Sequence, residues 1–157
     1  MSSKVKRIIY VSHDQLNVEY GGLAKADKKS DLVLFVESAR MIKGRKWHAH
    51  RLHFTISSAK HFSAELKEKG FTVEYLKAEN TAAGIEETKK KYKISEVIAA
   101  QPSSFRLLNA LSKLNVKFVD NDFFLTPRAL FHSWAVEQKS FKMETFYRKQ
   151  RVRLNLL

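Results

Sequence analysis

The feature that most constrains the fold is a series of five short apolar runs, separated by stretches long enough for helices or long connections. The runs are rich in β-branched residues, which favour strands. The second run, DLVLFV, is apolar from Leu32 to Val36, as is typical of a parallel sheet covered on both faces. The predicted strands span residues 6–11, 31–36, 71–76, 96–100 and 116–119.

Helical patterns occupy the connections that follow the second strand. In residues 49–69, apolar or small side chains recur at three- and four-residue steps, and Gly70 stands where a helix would end. Further helices are predicted over residues 81–92, after a cap at Ser103 or Ser104, after a cap at Thr126 with Pro127 as the first helical residue, and over residues 141–153.

The alternation of strands and helices predicts the class of fold. Such segments form βαβ units, and right-handed crossovers arrange these units into a doubly wound sheet. We therefore predict an α/β fold with a doubly wound, five-stranded parallel sheet, in a flavodoxin-like or a Rossmann-like order. The third strand alternates polar and apolar residues, which predicts a position near an edge of the sheet.

The composition excludes several kinds of site. The chain has no cysteine, so disulfides, thiolate metal sites and cysteine nucleophiles are excluded. The N-terminal residues lack the apolar core of a signal peptide, and no stretch reaches the roughly 18 apolar residues of a membrane span. We expect a cytoplasmic protein with no membrane segment.

The charge of the chain points to polyanionic partners. Lys and Arg number 29 against 16 Asp and Glu, which gives a net charge of +13. Such an excess attracts nucleic acid by releasing counterions from the phosphates. The alternative is a solvated basic surface that only aids solubility, because charge by itself reports attraction and not specificity.

Polar residues follow the strands at the edge where open parallel sheets bind ligands. The connections there begin at Ser12, Glu37 and Gln101, and none of them carries the glycine pattern of a dinucleotide or P-loop site. Asp14 and Glu37 supply acceptors for the N–H and hydroxyl groups of a heterocyclic or ribityl ligand. The alternative for Asp14 is that it caps its own loop.

Histidines are concentrated between residues 48 and 61, with basic residues among them. No carboxylate lies in this stretch and no HExxH motif is present, so we predict no metal site. No GxSxG motif is present either, and we predict no catalytic residue. The basic flank that could hold a phosphate or a polar ligand comprises Arg45, Lys46, Arg51 and Lys60.

The C-terminal stretch, residues 139–153, interleaves aromatic and basic residues. It suits either a nucleic-acid face or a helix packed between domains. Packing is favoured, because apolar residues lie around much of the circumference of the predicted helix. The sequence remains helix-like through residues 151–157 with no cap, so we expect the chain to continue into a further domain. We divide it into an α/β domain at 1–135 and the start of a linker at 136–157.

Four segments together resemble one family. His13-Asp14-Gln15-Leu16 is similar to the family's GDQL loop, with His13 at the glycine position, and Glu37 stands at an acidic position. Residues 48–62 resemble its HK…SAMRHFAEEL helix, and residues 124–148 resemble its FL…WA…LRMEYFYR stretch. The family is the photolyase-related proteins of bacteria, which comprises the prokaryotic (6-4) photolyases and the iron–sulfur bacterial cryptochromes.

The resemblance implies that residues 1–135 are the antenna domain of a light-driven DNA repair flavoprotein, with the Rossmann-like fold of the photolyase N-terminal domain. The domain would bind 6,7-dimethyl-8-ribityllumazine. FAD, a [4Fe-4S] cluster and most of the lesion-binding surface would lie in a helical C-terminal domain. The residues expected to contact the chromophore are Asp14, Gln15, Leu16, Glu37 and His48. One further departure from the family is residues 101–104, QPSS, which replace a more acidic EPGEW loop.

Three functions remain open at this point. The first is light-driven repair of pyrimidine (6-4) lesions by the full-length protein, with DNA as its partner and no catalysis by this chain alone. The second is a cryptochrome-type light sensor on the same scaffold. The third is a stand-alone basic α/β module that binds nucleic acid and no chromophore. The sequence does not determine the oligomeric state.

Overall fold

A computed structural model describes residues 5–44 and 46–156. Arg45 of the basic flank and the extreme ends of the chain lie outside the described residues. The strands are β1 (Arg7–Tyr10), β2 (Asp31–Ser38), β3 (Thr72–Ala78), β4 (Val97–Ala100) and β5 (Lys117–Val119). The helices are α1 (Ala39–Lys43), α2 (Ala49–Glu68), α3 (Thr81–Tyr92), α4 (Phe105–Ser112), α5 (Arg128–Ala135) and α6 (Met143–Leu154), with a short 3-10 helix at Leu23–Lys25.

The strands form one parallel sheet in the order β3-β2-β1-β4-β5. The predicted α/β class and five-stranded parallel sheet are confirmed, and β3 lies at an edge as predicted. The order confirms the Rossmann-like arrangement that the resemblance implied and excludes the flavodoxin-like order that the strand pattern also allowed. A flavodoxin-like sheet runs 2-1-3-4-5, whereas 3-2-1-4-5 is the Rossmann-like order.

Both faces of the sheet are covered. Successive strand residues point to opposite faces, so each face has its own apolar side chains to bury. One face packs against α2 and the connection after β1, through Ile9, Val11, Leu23, Val33, Phe35, Ala59 and Leu66. The other packs against α3 and α4, through Ile8, Tyr10, Leu32, Leu34, Val36, Ile85 and Leu111. The central strands are therefore buried on both sides, which explains their nearly continuous apolar sequences.

Helix α2 ends as its sequence predicts. Gly70 has a positive φ of 86°, and its N–H donates to the Lys67 carbonyl while the N–H of Phe71 donates to the Leu66 carbonyl. This pair of bonds is a Schellman motif, and Phe71 and Leu66 join the same core cluster. The motif turns the chain directly into β3.

Two local predictions need correction, and one short helix was not predicted. Residues 39–43 form helix α1, because the Ser38 hydroxyl caps it by accepting from the Met41 N–H at 3.1 Å. Pro127, and not Thr126, stands at the cap position of α5, while the Thr126 hydroxyl donates to Gln150 Oε1 at 3.3 Å. The last helix begins at Met143, two residues later than predicted, and it ends at Leu154 with Asn155 as a left-handed C-cap, where the sequence predicted a helix with no cap.

The chain divides into two compact units, residues 1–121 and 122–157. The first contains the whole sheet, and the predicted boundary after residue 135 falls inside the second. The second unit is held together by an aromatic cluster in which Trp134 lies 4.8 Å from Phe146 and 5.7 Å from Phe131, centroid to centroid. Among the described residues, no helix has the length and apolar character needed to cross a membrane.

Candidate functional site

The candidate site lies at the carboxyl edge of the sheet, near the point where the direction of winding reverses. The connection after β1 covers the face that packs against α2, whereas α4, after β4, covers the opposite face. Because β1 and β4 are neighbours whose connections cover opposite faces, this is the switch point at which open α/β sheets form a ligand-binding crevice. The residues that border this crevice follow Tyr10 and Ala100.

Glu37 is the buried acid at this edge. Its position near the end of β2 leaves only 8% of the residue exposed. The Tyr75 hydroxyl donates to Glu37 Oε2 at 3.1 Å, Lys60 Nζ lies 3.5 Å from the same oxygen, and Lys77 Nζ lies 3.7 Å from Oε1. These partners supply the donors that a buried carboxylate requires. Their side chains hold the Glu37 carboxylate in a fixed position beneath α2.

An aromatic column extends from the core to the crevice. Phe35 is fully buried, Tyr75 stacks on it at 6.1 Å with an interplanar angle of 18°, and His13 stacks on Tyr75 at 6.1 Å and 8°. Lys60 Nζ lies 5.8 Å from the Tyr75 ring centroid. The flat ring of His13 is therefore the outermost member of the column.

His13 has unused hydrogen-bonding capacity. Both Nδ1 and Nε2 are buried, and among the described residues neither has a hydrogen-bond partner. Burial lowers the pKa of His13, although the carboxylates of Glu37 and Asp14 act in the opposite direction. Leaving a buried polar atom unsatisfied costs about 1–3 kcal/mol, so a residue of this kind is a candidate for ligand contact.

Gln15 joins the loops that follow three strands. The residue is buried, and its Nε2 donates to the Gln101 carbonyl at 3.4 Å. The same carbonyl accepts from Asn121 Nδ2 at 2.8 Å. Leu16 is half-buried against the core under α2, whereas Asp14 is exposed on the loop. The predicted residues 14–16 thus have three different environments.

His48 has a structural role that the sequence did not predict. It is the N-cap of α2, and its Nδ1 accepts from the His50 N–H at 3.3 Å. Lys60, which reaches Glu37, lies twelve residues further along α2, or about 18 Å along its axis. The structure therefore brings Glu37 and Asp14 close to His13 and places His48 at the far end of the helix.

The sequence of the chain matches a known protein family and one of its relatives. A sequence model of the family described as deoxyribodipyrimidine photo-lyase-related protein matches residues 9–157. The chain belongs to this family. A (6-4) photolyase of Agrobacterium fabrum (strain C58 / ATCC 33970) is 26% identical over 165 aligned positions, which cover 98% of the chain. The chain spans 32% of the length of that relative.

Family membership confirms the resemblance seen in the sequence, and the structure adds residues that the sequence reasoning missed. Tyr75, Lys60 and Lys77 surround Glu37, and none of them was singled out beforehand as its partner. The two-residue period of the strands, combined with the register of β2 and β3, accounts for the partners on β3. Phe35 pairs with Tyr75 and Glu37 with Lys77, so the two-residue period places all four on the face beneath α2.

The side chains gathered at this edge are of kinds that can bind a polar ligand. Among the described residues, no group of three or more His, Asp or Glu side chains is arranged to hold a metal ion. The carboxyl edge near Glu37 instead offers a carboxylate acceptor, two ammonium groups that pair with it, and an imidazole whose two ring nitrogens have no hydrogen-bond partner among the described residues. Such a set recognises a flat polar molecule that has both donors and acceptors.

Proposed function

We propose that this chain is the antenna domain of a photolyase-related protein and that its crevice binds a lumazine, 6,7-dimethyl-8-ribityllumazine. The observation that carries the proposal is the buried Glu37 carboxylate beside the two unsatisfied ring nitrogens of His13. A pocket with fixed polar groups and stacking surfaces is the usual form of a cofactor site. When bound, the lumazine absorbs light and passes the excitation energy to a flavin.

The residues at the crevice match the chemistry of that molecule. The Glu37 carboxylate accepts from ribityl hydroxyls or a ring N–H, and Lys60 donates to ring carbonyls. Neutral His13 has one donor and one acceptor, and its ring extends a stacking column toward the ligand. Asp14, Gln15 and Leu16 would complete the wall from the loop after β1. His48 would contribute only if the ligand extends along α2.

For the whole protein, we propose light-driven repair of pyrimidine (6-4) lesions in DNA. The proposal is supported by the family and by the name of the Agrobacterium relative, of which this chain spans about a third. FAD and a [4Fe-4S] cluster would then be bound by a C-terminal domain, with which residues 136–157 would pack. The complete protein would act on DNA in the cytoplasm.

Titration with the lumazine tests the antenna proposal. We expect the purified chain to bind the added compound with quenching or a shift of its fluorescence, and Glu37→Gln to weaken binding by roughly tenfold, since a hydrogen bond to a charged group contributes about 1.5–3 kcal/mol. Glu74→Gln is the matched control, because Glu74 is a half-buried acid of β3 that pairs with Lys91 instead of bordering the crevice.

The outcomes separate the crevice from the rest of the domain. Loss of affinity in Glu37→Gln with normal affinity in Glu74→Gln supports the proposed site. A folded wild-type chain that does not alter the spectrum of the lumazine overturns the antenna proposal. Equal weakening by both variants overturns the assignment to the Glu37 crevice, because it would reflect a general effect of removing a carboxylate.

A further inference from the structure

A long acid-free segment begins directly after the candidate crevice. Residues 38–64 contain no Asp or Glu, although acids make up 16 of the 157 residues of the chain. The segment includes α1, the connection to α2 and the first sixteen residues of α2. It therefore presents positive charge with no neighbouring acid in its own sequence.

The exposed cations of this segment form what we term the basic corner, which comprises Arg40, Lys43, Lys46 and Arg51 together with His48, His50 and His53. All seven side chains are exposed. Among the described residues, none of the four Lys and Arg side chains takes part in a salt bridge. Cations elsewhere, such as Lys69 and Lys117, do pair with nearby acids.

The basic corner is held as one structural unit. The Arg40 N–H donates to the Glu79 carbonyl at 2.8 Å, which attaches α1 to the end of β3. Trp47 Nε1 donates to the Met41 carbonyl at 2.7 Å, and the Arg51 guanidinium lies 5.0 Å from the Trp47 ring centroid. These contacts connect α1 with Trp47 and with the first turn of α2. They hold the cations of α1 near those of α2.

The corner also projects beyond the sheet. Lys60 reaches Glu37, the penultimate residue of β2, so the eleven residues of α2 before Lys60 extend about 16 Å past that contact. Buried residues of α2 appear only from Ala59 onward. The residues of α2 before Ala59 are exposed or half-buried, so this part of the helix leaves surface that a partner could contact.

We propose that the basic corner binds the phosphate backbone of DNA, independently of base sequence and of any chromophore. A cluster of exposed cations that form no salt bridge among the described residues is the electrostatic signature of such a surface, and the exposed Phe54 adds a ring at its border. A membrane surface fits less well, because insertion requires an apolar face. Within residues 39–44 and 46–54, Phe54 is the one large apolar side chain that is exposed.

The test is the salt dependence of DNA binding by the 157-residue chain. Fluorescence anisotropy with a labelled duplex of about 20 base pairs, at roughly 50 to 200 mM NaCl, gives the slope of log K against log salt. Neutralising three cations in Arg40→Gln/Lys43→Gln/Lys46→Gln should reduce that slope by about two to three, since each phosphate contact contributes about 0.9. These positions leave the Arg51–Trp47 contact intact.

A matched triple variant controls for net charge. Lys29, Lys90 and Lys113 are exposed and outside the corner, and among the described residues they form no salt bridge. Their replacement by Gln should change the slope by less than about one. Equal losses in both triple variants overturn the proposal, and so does a wild-type chain that binds phosphatidylserine vesicles but not the duplex. Because no lumazine is present, the result does not depend on the antenna proposal.

Discussion

At the scale of single residues, the candidate site depends on how Glu37 and His13 are buried. Glu37 retains donors from Tyr75 and Lys60, so its burial is compensated. The two nitrogens of His13 have no such partners among the described residues, and burial lowers the pKa of the ring. An uncompensated polar group beside a compensated one is what a preformed binding site requires, because the ligand supplies the missing bonds.

His13→Phe should make the stability of the chain less sensitive to acid. In the folded chain, burial lowers the pKa of His13, so the unfolded chain takes up a proton at a higher pH than the folded chain does. The stability due to neutral His13 is fully present above the ordinary histidine pKa of about 6.5 and is lost as the pH falls toward the lowered value.

Urea unfolding between roughly pH 7 and pH 5 measures this effect, because the window begins at the unfolded pKa of about 6.5. The free energy of unfolding of His13→Phe should fall less over that range than that of the wild-type chain. Phe retains a flat ring against Tyr75 without a titrating group. The same dependence on pH in both proteins would contradict a buried, neutral His13.

At the scale of the elements, close packing of α3 on the sheet depends on a glycine within the helix. Gly84 lies under Val36, and a Cβ at this position would stand 2.6 Å from Val36 Cγ1 and 3.3 Å from Ala78 Cβ. Glycine is unfavourable in a helix interior by roughly 0.5–1 kcal/mol relative to alanine. Close contact between α3 and β2 is therefore obtained at the expense of helix propensity.

Gly84→Ala should destabilise the chain even though alanine is the better helix former. Forcing an additional methyl group into a packed core costs about 1–3 kcal/mol, which exceeds the gain in propensity of up to about 1 kcal/mol. The free energy of unfolding in urea should fall by up to about 2 kcal/mol. Glu87→Ala, at an exposed position of the same helix, should change it by less than about 0.5 kcal/mol. A more stable Gly84→Ala protein would contradict the tight packing.

At the scale of the whole molecule, the sheet and the candidate site belong to the same compact unit. Residues 1–121 contain both core clusters and every residue discussed at the crevice and the basic corner. The second unit has its own aromatic cluster and the hydrogen bond from Arg153 Nη2 to the Leu125 carbonyl at 2.7 Å. The predicted nucleic-acid or packing role of residues 139–153 remains a prediction.

A chain that ends after Asn121 should fold and keep the binding properties proposed for the first unit. Asn121 is retained because it donates to the Gln101 carbonyl beside the crevice. Far-ultraviolet circular dichroism and urea unfolding should show a cooperative α/β domain, with affinities for the lumazine and for DNA equal to those of the longer chain. An unfolded or aggregated product would show that residues 122–157 are required for the sheet.

The sequence by itself determined the class of fold and predicted the edge of the sheet at which the candidate site lies. Five apolar runs with helices between them specify buried parallel strands, and local signals such as the Gly70 terminus and the Ser104 cap fix where α2 ends and α4 begins. These features depend on neighbouring residues in the chain, so they can be predicted without knowledge of the packing. The motif series similarly indicated the photolyase-related family.

The tertiary structure alone decided the strand order and the composition of the site. The order β3-β2-β1-β4-β5 depends on which face each crossover covers, and two arrangements satisfied the same sequence pattern. Tyr75 and Lys60 meet Glu37 from separate elements, at sequence distances of 38 and 23 residues. The stacking of His13 on Tyr75 and the projection of α2 beyond the sheet likewise follow from long-range packing, which no local pattern encodes.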